Sequence, residues 1–426
     1  MADAPDGSAL PDHSPFVAFA HRDFRFYAAA RFLATVAVQM QSLAVGFQVY
    51  ALTHRKIDLA YIGLAQFIPI ISLSIVAGQL ADRVDRRVIL ITCDVVFAAC
   101  AVALYTLAKS PAPSLGAILA VLAVLGAARA FYGPAGSSLL PSLVPRAHFP
   151  NAVTWQSTMW EIAAIGGPSL AGAVYGLSGA AAPVYLICAV VLVIAGVLAA
   201  GIRTRGEKLE RRPATLATAL AGVRYVMSHK ILLGCISLDF FAVFLGGATA
   251  LMPVFATDIL QVGPHGLGVM RSAPAVGAGV MAILLAFRPL RGRAGAKMLA
   301  GVGVFGLATI VFGLSHSYVL SVIALAITGA ADMVSVVVRS TLIQQATPAE
   351  MRGRVSAVNL MFVGASNELG EFESGTVAEA LGAIPAVVLG GAGTLLVVAL
   401  WAIRFPQIRA VDRLEDVKPE EAPAEA

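Results

Sequence analysis

The sequence predicts an all-α membrane protein: twelve transmembrane helices in two six-helix bundles related by pseudo-two-fold symmetry. The first indication is composition, since 58% of the 426 residues are hydrophobic and only 13% are charged, whereas about 25% are charged in a soluble domain. The second is the recurrence of apolar runs of about 17 to 29 residues, because about 20 apolar residues span a bilayer as a helix. These runs do not alternate as barrel strands do.

Twelve apolar runs follow one another along the chain. The eleventh is the least apolar, because it contains Glu368, Glu371, Glu373 and Glu379. The approximate limits of the runs are 24–52, 59–81, 88–108, 115–140, 153–175, 183–202, 231–255, 267–287, 298–314, 318–342, 355–381 and 384–401.

The longest polar interruption separates the first six runs from the last six. We therefore expect an N-terminal bundle at 24–202, a cytoplasmic linker at 203–230 and a C-terminal bundle at 231–405. The ends, 1–23 and 406–426, are expected to be cytoplasmic tails. The second should be disordered, because it is rich in Glu, Pro and Ala.

An internal repeat supports the two-bundle plan. Residues 126–145 align without gaps on residues 329–348, with Gly, Ala, Ser, Leu and Pro positions in common. The two segments hold the fourth run of each half, as a parallel repeat of six helices requires.

The distribution of basic residues predicts the orientation. Most of the 30 Lys and Arg residues lie in the tails and in the loops on the same side, whereas the opposite loops carry only Arg55, Lys56 and Lys109. Because positive charge is retained on the cytoplasmic side, both termini are expected in the cytoplasm. The net charge of +5 then reflects topology, and we expect no nucleic-acid partner. The expected location is the plasma membrane, which is the inner membrane if the cell has two.

No pattern indicates a cofactor, a metal or an enzyme. The four Cys residues fall within predicted spans without metal-ligand or disulfide spacing. The seven His residues fall in predicted loops or tails and do not cluster. The stretch "GVGVFG" at 301–306 matches a dinucleotide-binding pattern, but it lies inside the ninth run with no strand before it.

A charged turn, "GQLADRVDRR", lies between the second and third runs. It resembles the signature loop of the major facilitator superfamily, Gly-x-x-x-Asp-Arg/Lys-x-Gly-Arg-Arg/Lys. Asp85 replaces the usual second glycine. The matching positions are Gly78, Asp82, Arg83, Arg86 and Arg87.

The resemblance implies that this turn is a cytoplasmic latch. Gly78 would allow close helix approach, and Asp82 would accept hydrogen bonds from a helix N-terminus in the other half, where the macrodipole favours an anion. The arginines would pair with acids or lipid phosphates. The alternative is a set of ordinary cytoplasmic anchors, which accounts for the arginines but not for Asp82.

Two further stretches are similar to proton-coupled members of the superfamily. The fourth run fits the pattern Leu-x-x-x-Arg-x-x-Gln-Gly at Leu125, Arg129 and Gly133, with Tyr132 where glutamine is usual. The fifth run, "AAIGGPSLAG", resembles the antiporter motif Gly-x-x-x-Gly-Pro-x-x-Gly-Gly. The alternative there is a generic span containing Gly and Pro. The matching positions of this motif are Gly167, Pro168 and Gly172.

The resemblance covers nearly the whole chain. Stretches at 238–260, 350–359 and 366–375 look like the enterobactin-exporter branch, a group of siderophore and drug exporters. It implies proton-coupled export of siderophores or amphipathic drug-like molecules by rocker-switch alternating access. The implied partners are a small-molecule substrate, protons and the lipid bilayer, with a monomer as the expected state. Uptake or facilitated diffusion of a small metabolite is the alternative, and an intramembrane enzyme is a different class that the scattered His residues argue against.

Ionisable residues inside the spans are candidates for proton coupling. Each costs about 2.5 to 3.5 kcal/mol at a helix centre on insertion scales, so it needs a partner, a wet cavity or a role. For any single one, a structural salt bridge to Arg31, Arg129 or Arg339 is the alternative. The candidates are Glu161, Asp239, Asp332, Glu368 and Glu371, with Arg129 as the residue that releases a carboxylate's proton.

Polar stripes at helical spacing predict the faces that line a substrate cavity. On the first run, four polar residues fall within about 80° of one another. Similar clusters occur on the fifth, tenth and eleventh runs. The cavity candidates are Arg31, Thr35, Gln39, Ser42, Thr158, Asn367 and Arg339.

Overall fold

The computed structural model describes residues 14–204, 216–288, 290, 292–348 and 351–412. Within its helices, the side chains at 75, 78, 79, 81–83, 216–220 and 286 lie outside the description. The described residues form helices and short turns without a strand, which confirms the all-α class.

The helices follow the order of the predicted runs, and three short helices are added. They are α1 (Arg22–Thr53), α2 (Lys56–Arg83), α3 (Arg86–Lys109), α4 (Leu115–Leu139), α5 (Phe149–Ser178), α6 (Ala182–Ala200), α7 (Leu216–Ser228), α8 (Lys230–Gly246), α9 (Met252–Val254), α10 (Gly263–Phe287), α11 (Ala294–Leu314), α12 (Tyr318–Ala346), α13 (Arg352–Leu381), α14 (Ala383–Arg404) and α15 (Pro406–Ala410).

Ten helical segments of the described chain have the length and mean hydropathy of a membrane span. The remaining long helices, α5 and α13, have 30 residues each. Both are long enough to cross a bilayer, but the first half of α5 contains several polar residues and α13 carries four Glu residues. The predicted count of twelve spans is consistent with this arrangement and stays a prediction.

Residue contacts sort the chain into two compact units. Unit 1 comprises Met1–Ser42, Ile68–Gly167 and Ala180–Pro213, and unit 2 comprises Leu43–Phe67, Pro168–Gly179 and Ala214–Ala426. The division runs through α1, α2 and α5. Within unit 1, α3 packs against α4 and α6; within unit 2, α12 packs against α10 and α11, and α14 packs against α8 and α11. The bundle limits expected from the sequence stay predictions.

The seventh predicted run is a broken helix. α8 ends at Gly246, and a 3-10 turn, α9 and a π turn continue the chain toward α10. Gly246 and Gly247 favour a helix poorly, and Pro253 lacks the N–H that an α-helical bond needs. The Ser374 hydroxyl donates to the Gly247 carbonyl oxygen at 3.0 Å, so a carbonyl freed by the break is satisfied inside the protein.

The segment expected to be a disordered C-terminal tail is ordered as far as Asp412. The Asp412 carboxylate accepts a hydrogen bond from the Arg293 N–H at 2.6 Å, and its carbonyl oxygen accepts one from the Ala294 N–H at 3.0 Å. These contacts satisfy N–H groups that the start of α11 leaves without helical partners. The Glu- and Pro-rich composition that suggested disorder belongs to residues 413–426, which lie outside the described residues.

The predicted linker contains a helix that its polar composition concealed. In α7, Tyr225 and Val226 are each 3% exposed. They pack with Leu232, Ile236 and Val355 of unit 2. The end of the linker is therefore an amphipathic helix attached to unit 2.

Part of the predicted N-terminal tail is docked on the beginning of α5. The Pro15 carbonyl oxygen accepts a hydrogen bond from the Trp155 indole N–H at 2.8 Å. The Phe16 ring stacks on Trp155 with centroids 5.2 Å apart. The imidazole rings of His21 and His148 are joined by a 2.8 Å hydrogen bond between His21 Nε2 and His148 Nδ1.

Acidification should detach this docked segment. Burial lowers the pKa of His21, and the neighbouring His148 lowers it further. The detached state then binds protons more readily, so docking weakens as the pH falls below about 6.5, the ordinary His value. In a variant with Trp160→Phe and Trp401→Phe, the Trp155 fluorescence should shift to the red on mild acidification. His21→Gln should suppress the shift. An emission spectrum that does not change with pH in the protein that retains His21 would contradict the prediction.

Candidate transport site

A cavity of about 510 Å³ lies in unit 1 between α1, α4 and α5. Its walls are mainly apolar and aromatic. The aromatic lining residues are Phe24, Tyr27, Phe32, Phe149 and Trp160. The polar ones are Arg31, Thr35, Ser137, Gln156, Ser157 and Glu161. Apolar walls with a few polar groups are typical of pockets for small amphipathic molecules.

Helical spacing places the α1 lining on one face. Phe24, Tyr27, Arg31 and Thr35 recur every three or four residues, so they stand above one another. The sequence analysis identified Arg31 and Thr35 on this face but missed the aromatic residues Phe24 and Tyr27. The same helical spacing, extended toward the N-terminus, would have placed both aromatic residues on this face.

Arg31 is held against α4. Its Cζ lies 4.3 Å from the centroid of the Tyr132 ring, and its Nη1 donates to the Tyr132 carbonyl oxygen at 3.3 Å. Gly136 makes room for the guanidinium, since a Cβ there would lie 3.0 Å from Arg31 Cζ. Tyr132 occupies the position where the proton-coupled pattern has glutamine, and here it gives the cation an aromatic face.

Glu161 lines the same cavity from α5 and is half-buried. Within the described part of the chain, no hydrogen bond or ion pair joins its carboxylate to another residue. The cavity therefore presents one guanidinium and one carboxylate between aromatic walls.

Three other predicted cavity residues in unit 1 are not among the lining residues. Gln39 packs against α5, because a Cβ at Gly167 would lie 2.6 Å from the Gln39 Cβ. Thr158 is exposed, and its hydroxyl donates to the Thr154 carbonyl oxygen at 3.0 Å. Ser42 is half-buried at the end of the unit 1 part of α1.

In unit 2, an ion pair joins α8 to α12. The pair is formed by Asp239 and Arg339, whose side chains are each 8% exposed. Asp332, two turns before Arg339 on α12, lines a small cavity together with Asp239. The structure thus brings Asp239 of α8 together with two charged residues of α12 that the sequence pattern placed on one face.

The acidic residues of α13 lie beside α2 within unit 2. A Cβ at Gly63 would lie 3.2 Å from the Glu371 Oε2 and 3.4 Å from the Glu368 Oε2. Asn367 is exposed, and its amide donates to the Val363 carbonyl oxygen at 2.8 Å. Glu368 and Glu371 therefore both lie against α2 at Gly63, whereas Asn367 does not.

Two further polar contacts in unit 2 were not anticipated. The Tyr50 hydroxyl donates to the Asp258 carboxylate. The Glu379 carboxylate accepts hydrogen bonds from the backbone N–H groups of Lys56 at 3.0 Å and Ile57 at 3.2 Å. Glu379 therefore caps the start of α2, where N–H groups lack helical partners. A partner so distant in sequence leaves no local pattern.

The antiporter-like motif makes a close helix contact in unit 2. A Cβ at Gly172 would lie 2.7 Å from the Pro264 carbonyl oxygen, and one at Gly268 would lie 2.7 Å from the Pro168 carbonyl oxygen. The hydroxyls of Ser169 and Ser272 are 2.9 Å apart beside this contact. Small residues here let the α5 and α10 backbones approach closely.

The charged turn is described in part. The Arg86 Nη1 donates to the Ser138 carbonyl oxygen at 3.3 Å, and the Arg87 Nη1 donates to the Ile202 carbonyl oxygen. Asp85 caps α3 by accepting from the Arg87 N–H at 3.0 Å. These arginine contacts reach backbone carbonyls at helix ends rather than acids. The remaining latch side chains, those of Gly78, Asp82 and Arg83, lie outside the described residues, so the latch stays a prediction.

The last predicted coupling residue, Arg129, is half-buried on α4, three positions before Tyr132. In the described part of the chain, no three His, Cys, Asp or Glu residues are grouped closely enough to hold a metal ion.

A comparison with known families identifies the chain. The model of the transmembrane secretion effector family matches residues 13–425. The chain belongs to this family. The match confirms the predicted membership of the major facilitator superfamily, so this chain is a multi-pass membrane transporter with a small-molecule substrate. Its family and its relatives are transporters and not enzymes.

Several relatives of this transmembrane secretion effector are named enterobactin exporter EntS. The protein of Citrobacter koseri is 27% identical over 389 residues, covering 88% of this chain and 86% of the relative. The protein of Shigella dysenteriae is 26% identical over 388 residues, with the same coverage. The resemblance to the enterobactin-exporter branch is therefore confirmed.

Solved structures show the same fold. A POT family transporter in complex with 5-aminolevulinic acid has a TM-score of 0.74 at 11% identity, covering 94% of this chain and 99% of the other. A bacterial homolog of the human lysosomal transporter Spinster has a TM-score of 0.70 at 14% identity, covering 96% and 100%. At these identities the likeness concerns the fold alone.

Breaking the buried ion pair should destabilise the transporter. Asp239→Asn leaves the Arg339 guanidinium buried without its partner, which typically costs about 3–5 kcal/mol in the free energy of unfolding. Thermal unfolding of the detergent-solubilised protein measures the loss. The double variant Asp239→Asn with Arg339→Gln should recover most of it, and a double variant no more stable than the single one would contradict the pairing.

The close contact of α5 with α10 should tolerate no added methyl group. Gly172→Ala should lower the free energy of unfolding by about 1–3 kcal/mol, because the backbones must separate. Gly166→Ala on the same helix is the matched control, since a Cβ there meets nothing within 4 Å. Equal unfolding midpoints for the two variants would show that α5 and α10 are not in close contact at Gly172.

Proposed function

We propose that this chain is a proton-coupled exporter of amphipathic aromatic molecules of the siderophore or drug type. The observation that carries the proposal is the cavity of unit 1, with aromatic walls that present Arg31 and Glu161. The relatives named enterobactin exporters support a siderophore as cargo.

The cavity suits a molecule with aromatic rings and acidic oxygens. Its volume of about 510 Å³ falls within the range of about 300–1,000 Å³ for small-molecule pockets. Tyr27, Phe32 and Trp160 offer ring faces. The planar guanidinium of Arg31 offers paired donors that match two neighbouring oxygens. Glu161 can take a proton or hold a basic group, which extends the range of cargo to amphipathic drugs.

Proton coupling is assigned to buried carboxylates, of which Asp239 and Asp332 have the clearest geometry. Asp239 is held by Arg339, and Asp332 lines the same small cavity without an ion pair within the described chain. A proton arriving at Asp239 would release Arg339 toward Asp332, so one guanidinium would exchange between two carboxylates. Such an exchange is a two-state element that a proton can bias. Glu161, Glu368, Glu371 and Arg129 remain further candidates for the proton path.

The remaining parts of the proposal concern topology and motion. Both termini lie in the cytoplasm, the protein is a monomer of the plasma or inner membrane, and transport proceeds by rocker-switch alternating access. The turn with Gly78, Asp82, Arg83, Arg86 and Arg87 then acts as the cytoplasmic latch. Pro168 and Gly172 act at the contact of α5 with α10, and Gly167 acts at the contact of α5 with α1; these close contacts limit proton leak.

Substrate-driven proton movement tests the function. In proteoliposomes loaded with a pH-sensitive dye, enterobactin should trigger proton flux, because cargo and protons share one transport cycle. Asp332→Asn should abolish the proton flux while leaving downhill movement of enterobactin. Glu161→Gln should shift the preference away from cationic drugs, tested with ethidium.

The matched control is Asp85→Asn, which retains a capping side chain outside the spans. It should behave as the unaltered protein. Movement of enterobactin without any proton flux would identify a facilitator, and no movement of any compound by well-folded protein would overturn the proposed cargo.

A further inference from the structure

Asp94 of α3 is a buried carboxylate without a hydrogen bond of normal geometry in the described chain. It is 1% exposed, and the Tyr132 hydroxyl of α4 faces it as a donor without closing such a bond to either Oδ atom. An ionised carboxylate isolated within a membrane-spanning helix is costly. Asp94 therefore requires a proton or the charge of a nearby cation.

Few groups face Asp94 from the helices packed around it. Tyr132 of α4 and Arg31 of α1 act on it electrostatically. Cys93 is its neighbour on α3, and α6 contributes Gly196, where a Cβ would lie 3.5 Å from the Asp94 Cβ. Arg31 is a cation whose charge acts on Asp94.

Arg31 also lines the cavity of unit 1. Its guanidinium lies over the Tyr132 ring at 4.3 Å, so Tyr132 has contacts with both charged residues. The positive charge of Arg31 therefore acts both on the contents of the cavity and on Asp94. Whatever binds Arg31 from the cavity changes the electrostatic environment of Asp94.

We propose that Asp94 is a proton-binding site whose occupancy is set by what Arg31 holds in the cavity. The inference rests on the proposed function, because it takes the cavity as the cargo site. When the cavity is empty, the charge of Arg31 stabilises the ionised Asp94. When an acidic aromatic molecule neutralises Arg31, the Asp94 carboxylate takes up one proton from water and becomes a neutral acid.

The sign of this linkage distinguishes the two units. An acidic molecule and a proton bind together in unit 1, because the binding of each makes the binding free energy of the other more favourable. The proton at Asp94 thus balances the charge of the cargo. Exchange against protons from the opposite side then belongs to Asp239 and Asp332 of unit 2.

The first test needs no ligand. Infrared spectra of the purified protein in lipid nanodiscs, recorded while the pH is lowered, should show a protonated-carboxyl band that grows in on acidification, is missing in Asp94→Asn and is present in Asp85→Asn. In Arg31→Gln the band should persist to higher pH, because the cation that favours the ionised form is gone. The absence of an Asp94 band, or a band that Arg31→Gln does not move, would overturn the proposal whether or not any molecule binds.

The second test measures the linkage with 2,3-dihydroxybenzoate. Calorimetry in two buffers of different ionisation enthalpy should show uptake of up to about one proton per bound molecule. Asp94→Asn should retain binding with no proton uptake, and Asp94→Glu should restore it. Binding without proton uptake by the unaltered protein would overturn the linkage. Failure of this acid and of enterobactin to bind, with the Asp94 band present, would instead overturn the proposed cargo cavity.

Discussion

The structure depends on one constraint: the hydrocarbon core of a bilayer offers no hydrogen bonds to the chain. Each polar group inside it must find a partner in the protein or line a wet space. The backbone satisfies this requirement through helices. Where a helix breaks, as after Gly246, a side chain such as Ser374 supplies the missing hydrogen bond. At helix ends, Glu379 and Asp412 supply acceptors for N–H groups that helical geometry leaves unpaired.

The same constraint explains where the charged side chains lie. Asp239 and Arg339 neutralise each other in unit 2. Arg31 and Glu161 line a cavity of unit 1 instead, at a cost that only a function would retain. Within the described chain, Asp94 neither forms an ion pair nor lines the cavity, and its charge therefore depends on Arg31. The proposed cargo site thus lies at charges that the fold itself does not neutralise.

The sequence predicted the helices well, because a span is a local property of about 20 residues. It also predicted that Arg31 and Thr35 would line a cavity, since helical spacing alone places them on one face. It could not predict that Gln39 would lie behind Gly167, because that depends on where α5 packs. A salt bridge between Asp239 and Arg339 was among the alternatives that the sequence left open, but the sequence could not select this pair, since the two residues are far apart in the chain. The docked segment before α1 depends on contacts with α5, and the ordered end at Asp412 depends on contacts with α11. The local amino-acid composition does not indicate such contacts.

The most direct test of the central claim asks whether cargo occupies the cavity beside Arg31. Gln156→Cys places a thiol in the cavity lining, and the four native cysteines are buried. Its reaction with a water-soluble maleimide should be slowed by saturating enterobactin, and Arg31→Gln should remove that protection. A thiol that reacts equally fast with and without enterobactin, in a preparation that transports it, would place the cargo elsewhere and contradict the account.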